Sequence, residues 1–416
     1  MTLFSHKKRL PMDSPRRSAP SIILLVISGC LLFGLSLGIR MNYGILLNAY
    51  ADYAGLPYDR ISLVIAIGEL VYGLTQPLFG MVAIKRSNAF VLKIGLLLLA
   101  AGFISSAFIR STLLLVMTLG VCLSAGTGAV CFGIVMGAIS PFIPKSKAAA
   151  VSGIVNASSG IGSSLMSPLM ESFMAAFGLT KAMLFLSLPV FALLPVVYWL
   201  GAINHRWEAQ MAESDSKENQ PSFLRTWKAA IHDRTYQYLM IGFATCGFHM
   251  SLIQNHLYSQ IISYGIDKQP AALAYTMFGI GTMTGAFLCG LFCSKLPLKN
   301  VLGTLYLLRA VIITVFFFLL SKNIATVVFF AVALGLCGDA TVTPTSEIIS
   351  RKFGAVNMAF LFGMVFVCHQ VGAFLSTWLA GMLLDITGSY FLIWQLNLGL
   401  CLLAACVSYR IKNADD

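Results

Sequence analysis

The sequence predicts an all-α integral membrane protein, with twelve transmembrane helices in two pseudo-symmetric six-helix bundles. Three observations carry this. Of the 416 residues, 58% are hydrophobic and 11% charged, against about 25% charged in soluble domains. Apolar segments long enough to cross about 30 Å of hydrocarbon recur along the chain. They fall into two sets around one long polar stretch, Asn204 to Asp233.

The first set covers residues 21–49, 59–83, 88–109, 111–139, 147–176 and 181–203; the second covers 235–264, 269–294, 299–320, 323–348, 353–384 and 388–409. The chain therefore divides into a tail (1–20), a first bundle (21–203), a linker (204–234), a second bundle (235–409) and a short tail (410–416). Two glycine pairs keep one register between the sets: Gly80 with Gly290 and Gly153 with Gly363 each stand 210 positions apart. A parallel repeat of this kind places a substrate site between its halves, near the midplane.

Lys and Arg set the orientation. Of the 28, only Arg60, Arg110, Lys181, Lys268 and Lys322 fall in loops on one side, and Arg40 and Arg309 lie within spans. The other side holds the rest, including Lys7, Lys85, Lys145, Arg206, Lys217, Lys295 and Arg351. Both termini and the linker are expected in the cytoplasm, and the net charge of +12 reads as a topology signal, with no nucleic acid as partner. The ten cysteines all lie in apolar runs, where a thiol behaves as a small hydrophobe, without metal-ligand spacing or a disulfide framework. Ile27-Ser28-Gly29-Cys30 has the form of a lipoprotein processing site, but the apolar run continues through it, so a membrane helix is the better reading.

In span one, Arg40 interrupts the apolar run from Ser21 through Ile39. A guanidinium inside a bilayer costs roughly 2.5–3.5 kcal/mol on insertion scales and usually faces a cavity or a partner. In span two, Glu69 reads in two ways: an ion pair that neutralises Arg40, or a proton or sodium site released when substrate takes Arg40. Span five carries Ser158-Ser159-Gly160-Ile161-Gly162-Ser163-Ser164 and then Pro168. Small residues let helices approach closely, and Pro168 bends a helix. The lack of a following lysine or a soluble domain argues against a phosphate loop and an ATP-driven pump.

In span seven, the repeat register carries Arg40 to within one residue of His249, which is expected to face it at similar depth. His256 lies two turns on, with Gln254 and Asn255 beside it. Arg309 in span nine is expected to pair within the second half or to snorkel. Asp339 in span ten is its candidate partner, or a second coupling acid. Phe316-Phe317-Phe318 read as packing or lipid-facing residues, and Glu171 and Asp385 as helix-end charges.

Several blocks then resemble a known family. They are Gly38-Ile39-Arg40-Met41-Asn42-Tyr43-Gly44, Gln76-Pro77-Leu78-Phe79-Gly80, Cys246-Gly247-Phe248-His249 and Tyr306-Leu307-Leu308-Arg309-Ala310. The strongest are Leu361-Phe362-Gly363, His369-Gln370-Val371-Gly372-Ala373-Phe374 and Asp385-Ile386-Thr387-Gly388-Ser389-Tyr390. In this order the chain resembles the major facilitator superfamily, in the bacterial monocarboxylate-porter-like branch related to oxalate/formate antiporters. The resemblance implies alternating access, a hinge at Gly160 and Pro168, gating loops opening at Gly80 and Gly290, and a cavity-lining span eleven that carries His369. The superfamily loop after span two typically reads G-x-x-x-D-R-x-G-R-R. Here Ile84 takes the place of the acid and Ser87 that of the glycine, Lys85 keeps the basic position, and Ser294 replaces the acid after span eight. Either another contact closes that side, or the resting conformation differs. Glu69 stands where relatives tend to carry an amide.

The expected function is secondary active transport of a small organic anion, a monocarboxylate, by proton-coupled symport in the bacterial inner membrane. Arg40, His249, His369 and Asn255 are the candidate substrate ligands. Glu69, His249 and Asp339 are the candidates for the coupling proton, or sodium in its place. No cofactor or metal is called for, and no nucleophile–base pair points to an enzyme. Efflux of hydrophobic or cationic compounds through Glu69 and Asp339, and a non-transporting sensor on the same scaffold, are the alternatives.

Overall fold

The computed structural model describes residues 21–211 and 223–412. The basic cluster at Lys7-Lys8-Arg9, Lys217 and the polar core of the linker lie outside them. Every described element is helical. The first bundle comprises α1 (Ile22–Arg40) and α2 (Tyr43–Ala54) as a broken span one, α3 (Tyr58–Lys85) and α4 (Asn88–Ser106). Span four is segmented into α5 (Thr112–Leu115), a π-helical stretch (Val116–Leu123), α6 (Ser124–Ala129) and α7 (Phe132–Ile139). Spans five and six run through α8 (Lys145–Ala192) and α9 (Leu194–Met211).

After the short α10 (Phe223–Ile231) come α11 (Arg234–Ser263), α12 (Lys268–Cys293) and α13 (Leu298–Leu319). Span ten is α14 (Ile324–Cys337), a 3₁₀ turn (Asp339–Thr341) and α15 (Val342–Phe353). Spans eleven and twelve are α16 (Ala355–Thr387) and α17 (Phe391–Tyr409).

Ten stretches of the described residues are long and apolar enough to cross a membrane, and two details bring the count to twelve. Val151–Ile203 is one of the ten, but Gly178 breaks it with φ +72°, so the chain reverses there and crosses twice. The second detail is α11, 30 residues long, whose buried Thr245, His249, Ser251, Gln254, Asn255, His256, Ser259 and Gln260 dilute its apolar character. The most polar span is the one that borders the site.

The repeat is deeper than two glycine pairs. α3 and α12 begin 210 positions apart, as do α4 and α13, α7 and α15, and α8 and α16. The left-handed glycines at the reversals repeat it: Gly55 pairs with Gly265, and Gly178 with Gly388. Only glycine enters that region without strain, so these turns are written into the sequence twice. Local signals also fix helix starts. Ser87 accepts from the Phe90 N–H at 3.1 Å, Asp233 caps α11 through the Tyr236 N–H, and Asn323 forms a capping box with Thr326.

Close approach brings the spans into register. A methyl group at Gly162 would meet the Gly34 carbonyl oxygen at 1.9 Å, and one at Gly160 would meet that of Gly279 at 2.9 Å. The small-residue run of span five thus grips span one through one face and span eight through another, as such runs do in membranes. Ser164 and Ser167 add hydrogen bonds to the carbonyls of Thr276 and Ala272. The helix continues unbroken through Pro168.

Candidate functional site

Span one ends its first helix at Arg40, where the chain turns at Met41 and Asn42 before α2. The Asn42 amide holds the turn by donating to the Gly38 and Ser163 carbonyls. A cation at a helix C-terminus matches the macrodipole, and Arg40 is 6% exposed. One terminal nitrogen of its guanidinium pairs with Glu69 of α3, itself 1% exposed. The other donates to Gln254 Oε1 of α11 at 3.2 Å. The Tyr72 ring lies 4.3 Å from the guanidinium carbon.

The second carboxylate oxygen of Glu69 accepts from Asn255 Nδ2 at 3.2 Å. That amide also donates to Ser251 Oγ at 2.7 Å and Thr377 Oγ1 at 2.8 Å, so Glu69 is the weakest of its three claims. An ion pair of the first bundle is therefore held between two neighbouring amides of the second. Arg40 Nε and Asn255 Oδ1 are buried without a hydrogen-bond partner among the described residues. The ion pair thus keeps a spare donor and a spare acceptor.

Asp339 completes the surroundings. It is half-buried at the 3₁₀ turn of span ten, within electrostatic reach of His369, Arg40 and Arg309. His369 Nδ1 donates to Gln370 Oε1 at 2.9 Å, and its ring stacks on Phe366 with centroids 5.2 Å apart. Two carboxylates thus attend one guanidinium and one imidazole.

His249 does not join them. Its Nδ1 accepts from the Asn397 amide at 2.9 Å, and Trp394 lies edge-on, 6.5 Å between centroids. Five residues of helix, from His249 to Gln254, turn the direction by about 140°, so both cannot face Arg40. His256 is also buried, but its Nδ1 lies 3.0 Å from Tyr58 OH and its Nε2 2.9 Å from the Thr377 carbonyl.

That last contact belongs to one end of the bundle, marked by Tyr58, where the halves are fastened. Tyr58 OH also donates to Ser259 Oγ at 2.9 Å and accepts from Tyr390 OH at 3.1 Å. Asp385 Oδ2 accepts from the Asp59 N–H at 3.0 Å, capping α3 from the other half. Glu171, expected as a helix-end charge, is 5% exposed and accepts from Tyr258 OH across the halves. It borders a cleft of about 410 Å³ lined also by Asn48, Asp52, Tyr53 and Lys268, which does not reach Arg40. At the other end, marked by Lys85, Gly80, Gly153, Gly290 and Gly363 have no atom within 4 Å of an added methyl. Leu78, Met81, Ile154 and Leu291 are half exposed there.

Arg309 is wholly buried. It reaches the backbone of span ten, with Nη2 donating to the Cys337 and Gly338 carbonyls at 2.7 and 2.6 Å. Asp339 is not its ion-pair partner among the described residues. Sequence reasoning gave Gln254, Tyr72, Tyr58 and Tyr258 no role. Amides and tyrosines occur in many spans, and only their contacts with Arg40, Glu171 and His256 distinguish these.

A family model described as Major Facilitator Superfamily matches residues 28–267 and 253–415. The chain belongs to the Major Facilitator Superfamily. It is 23% identical over 392 residues to human monocarboxylate transporter 12 (Homo sapiens), covering 88% of this chain and 76% of that one. It is equally 23% identical to YcxA of Bacillus subtilis (strain 168), an uncharacterized MFS-type transporter, covering 91% and 92%. Among solved structures, a D-xylose-proton symporter superposes with a TM-score of 0.72 at 13% identity, over 95% of this chain and 99% of that one. A bacterial homologue of the human lysosomal transporter Spinster, in an inward-facing and unoccupied conformation, gives 0.67 at 13% identity, covering 95% and 96%. The protein is thus a multi-pass membrane transporter by family, with the twelve-helix fold that its sequence predicts.

Proposed function

We propose that the protein carries a small organic anion, a monocarboxylate, together with a proton across the bacterial inner membrane. One observation carries the proposal: the guanidinium of Arg40 is paired with Glu69 at mid-membrane, and Gln254 and Asn255 of the other half bond to the two members of that pair. An arginine fork matches a carboxylate, and the partner that now fills it is itself a carboxylate. A substrate carboxylate arriving at Arg40 replaces Glu69. Two carboxylates on one guanidinium in low dielectric are unfavourable, so Glu69 takes a proton as it leaves. Anion and proton then move together. The cross-half amides sense the exchange, which couples occupancy to the rocking of the bundles.

The excess of Lys and Arg assigns the Lys85 end to the cytoplasm, with both termini and the linker there. The cross-half hydrogen bonds gathered at the Tyr58 end support reading the described state as closed there and open towards the cytoplasm. The homology to proteins named monocarboxylate transporters supports the substrate class, and the two carboxylates within reach of Arg40 support proton coupling. Those same carboxylates favour a second reading, efflux of cationic compounds held by Glu69 and Asp339.

The test is uptake of radiolabelled lactate, pyruvate and acetate into proteoliposomes under an inward proton gradient. The proposal expects accumulation of at least one, abolished in Arg40→Ala. No accumulation of any carboxylate, with expulsion of lipophilic cations instead, would favour the second reading.

A further inference from the structure

Span ten is cut at mid-membrane. α14 ends at Cys337, Gly338 leaves helical geometry with ψ −95°, and Asp339–Thr341 form a 3₁₀ turn before α15. A cut of this kind strands carbonyls that would bond four residues ahead, and lipid offers them nothing. Arg309, on the neighbouring span nine, meets them. Its Nε and Nη2 both donate to the Cys337 carbonyl, at 3.1 and 2.7 Å, and Nη2 also donates to the Gly338 carbonyl at 2.6 Å. The same nitrogen reaches Cys246 Sγ at 3.4 Å, and the Tyr306 ring lies 5.0 Å from the guanidinium carbon. A cation at the end of α14 also suits that helix's dipole.

Arg309 spends its fork on backbone, and the residue after those two carbonyls is Asp339. In an unbroken helix Asp339 would follow the rotation set by α14; in the turn its direction is set by the cut. Gly338 is also confined from the other side, since a methyl there would meet Met250 Sδ at 3.1 Å.

We propose that Arg309 is a positioning residue for transport. By holding the cut in span ten, it sets the direction of the Asp339 carboxylate, which lies within electrostatic reach of Arg40 and His369. This rests on reading the surroundings of Arg40 as the transport site. Arg309 itself touches no substrate; it acts through the backbone of Cys337 and Gly338.

The test uses the full chain in proteoliposomes, with Arg309→Met, Arg309→Lys, Asp339→Asn and the Arg309→Met/Asp339→Asn double variant. Labelling by dicyclohexylcarbodiimide, located by mass spectrometry, reads the placement of Asp339 without any substrate, with Glu171 as the reference carboxylate. Arg309→Met should change labelling of Asp339 at least fivefold and leave Glu171 unchanged. Arg309→Lys, which keeps a donor but loses the fork, should fall between, and it carries the test if the methionine variant does not fold. In lactate, pyruvate and acetate uptake, Arg309→Met should cost at least tenfold alone but under twofold on the Asp339→Asn background.

Unchanged Asp339 labelling overturns the proposal whatever transport does. Equal losses on both backgrounds also overturn it, because Arg309 would then act independently of Asp339. Asp339→Asn transporting like the native protein would show that Arg309 places a group that transport does not use, which is equally fatal. A native protein that moves none of the three anions removes the functional reading instead, and labelling still judges the placement.

Discussion

Two arginines are buried among the described residues, and they are held in opposite ways. Arg40 pairs with a carboxylate and an amide side chain, both of which can rotate away. Arg309 is wrapped by two backbone carbonyls and a thiol, and backbone does not step aside. Both are almost fully shielded, so burial alone does not tell a working charge from a structural one. The difference lies in whether the partner is exchangeable, and in which half supplies it. Arg40 has partners in both halves, whereas those of Arg309 all belong to the second. Only Arg40 can report an occupancy to the motion between bundles.

The sharpest way to break this comparison is to remove Arg40. Arg40→Ala should lower carboxylate uptake by roughly 100-fold or more, as expected when a group that binds the charge of the substrate is lost. Replacing Arg40 and Glu69 together by methionine should leave the thermal midpoint unchanged or higher, because buried ion pairs often gain nothing over apolar packing. The single Glu69→Met, which strands the guanidinium, should cost about 3–5 kcal/mol of stability, read by thermal unfolding in detergent. Arg309→Met has no ion-paired carboxylate among the described residues whose removal could restore its stability. A partner deletion that restored its stability would erase the contrast.

The fastened end supplies smaller effects. Tyr258→Phe removes the hydrogen bond to Glu171, a loss of about 1.5–3 kcal/mol for a bond to a charged group. It should favour the state open at the Tyr58 end, and substrate affinity measured from that side should rise severalfold. No change would mean that Tyr58 and Asp385 hold the end alone. The smallest effect belongs to His249. Because it faces Asn397 and Trp394, His249→Gln should keep uptake within about threefold. A hundredfold loss would return His249 to the site.

Much of this was legible in the chain. Twelve spans, two bundles and the register of 210 follow from hydrophobic length and paired glycines, because bilayer thickness and left-handed turns constrain sequence directly. Arg40 and Glu69 were legible for a similar reason: charge in an apolar run is rare. What could not be read was direction. His249 and Gln254 sit five positions apart on one helix and point in different directions, and it is Gln254 that faces Arg40 while His249 meets Asn397. Arg309 was expected to pair or snorkel, yet it binds carbonyls exposed by the interruption of span ten, which no periodicity announces. Glu171 read as a helix-end charge because its partner, Tyr258, is 87 positions away.

The most direct test of the central claim compares net uptake with exchange in the native protein and Glu69→Gln. Proteoliposomes are loaded with lactate, pyruvate or acetate for exchange, or left empty under an inward proton gradient for net uptake. The account predicts that the native protein does both, while Glu69→Gln still exchanges anion but no longer accumulates it with the gradient. Gradient-driven accumulation undiminished in Glu69→Gln would contradict it, because the proton would then travel by a group other than the partner of Arg40.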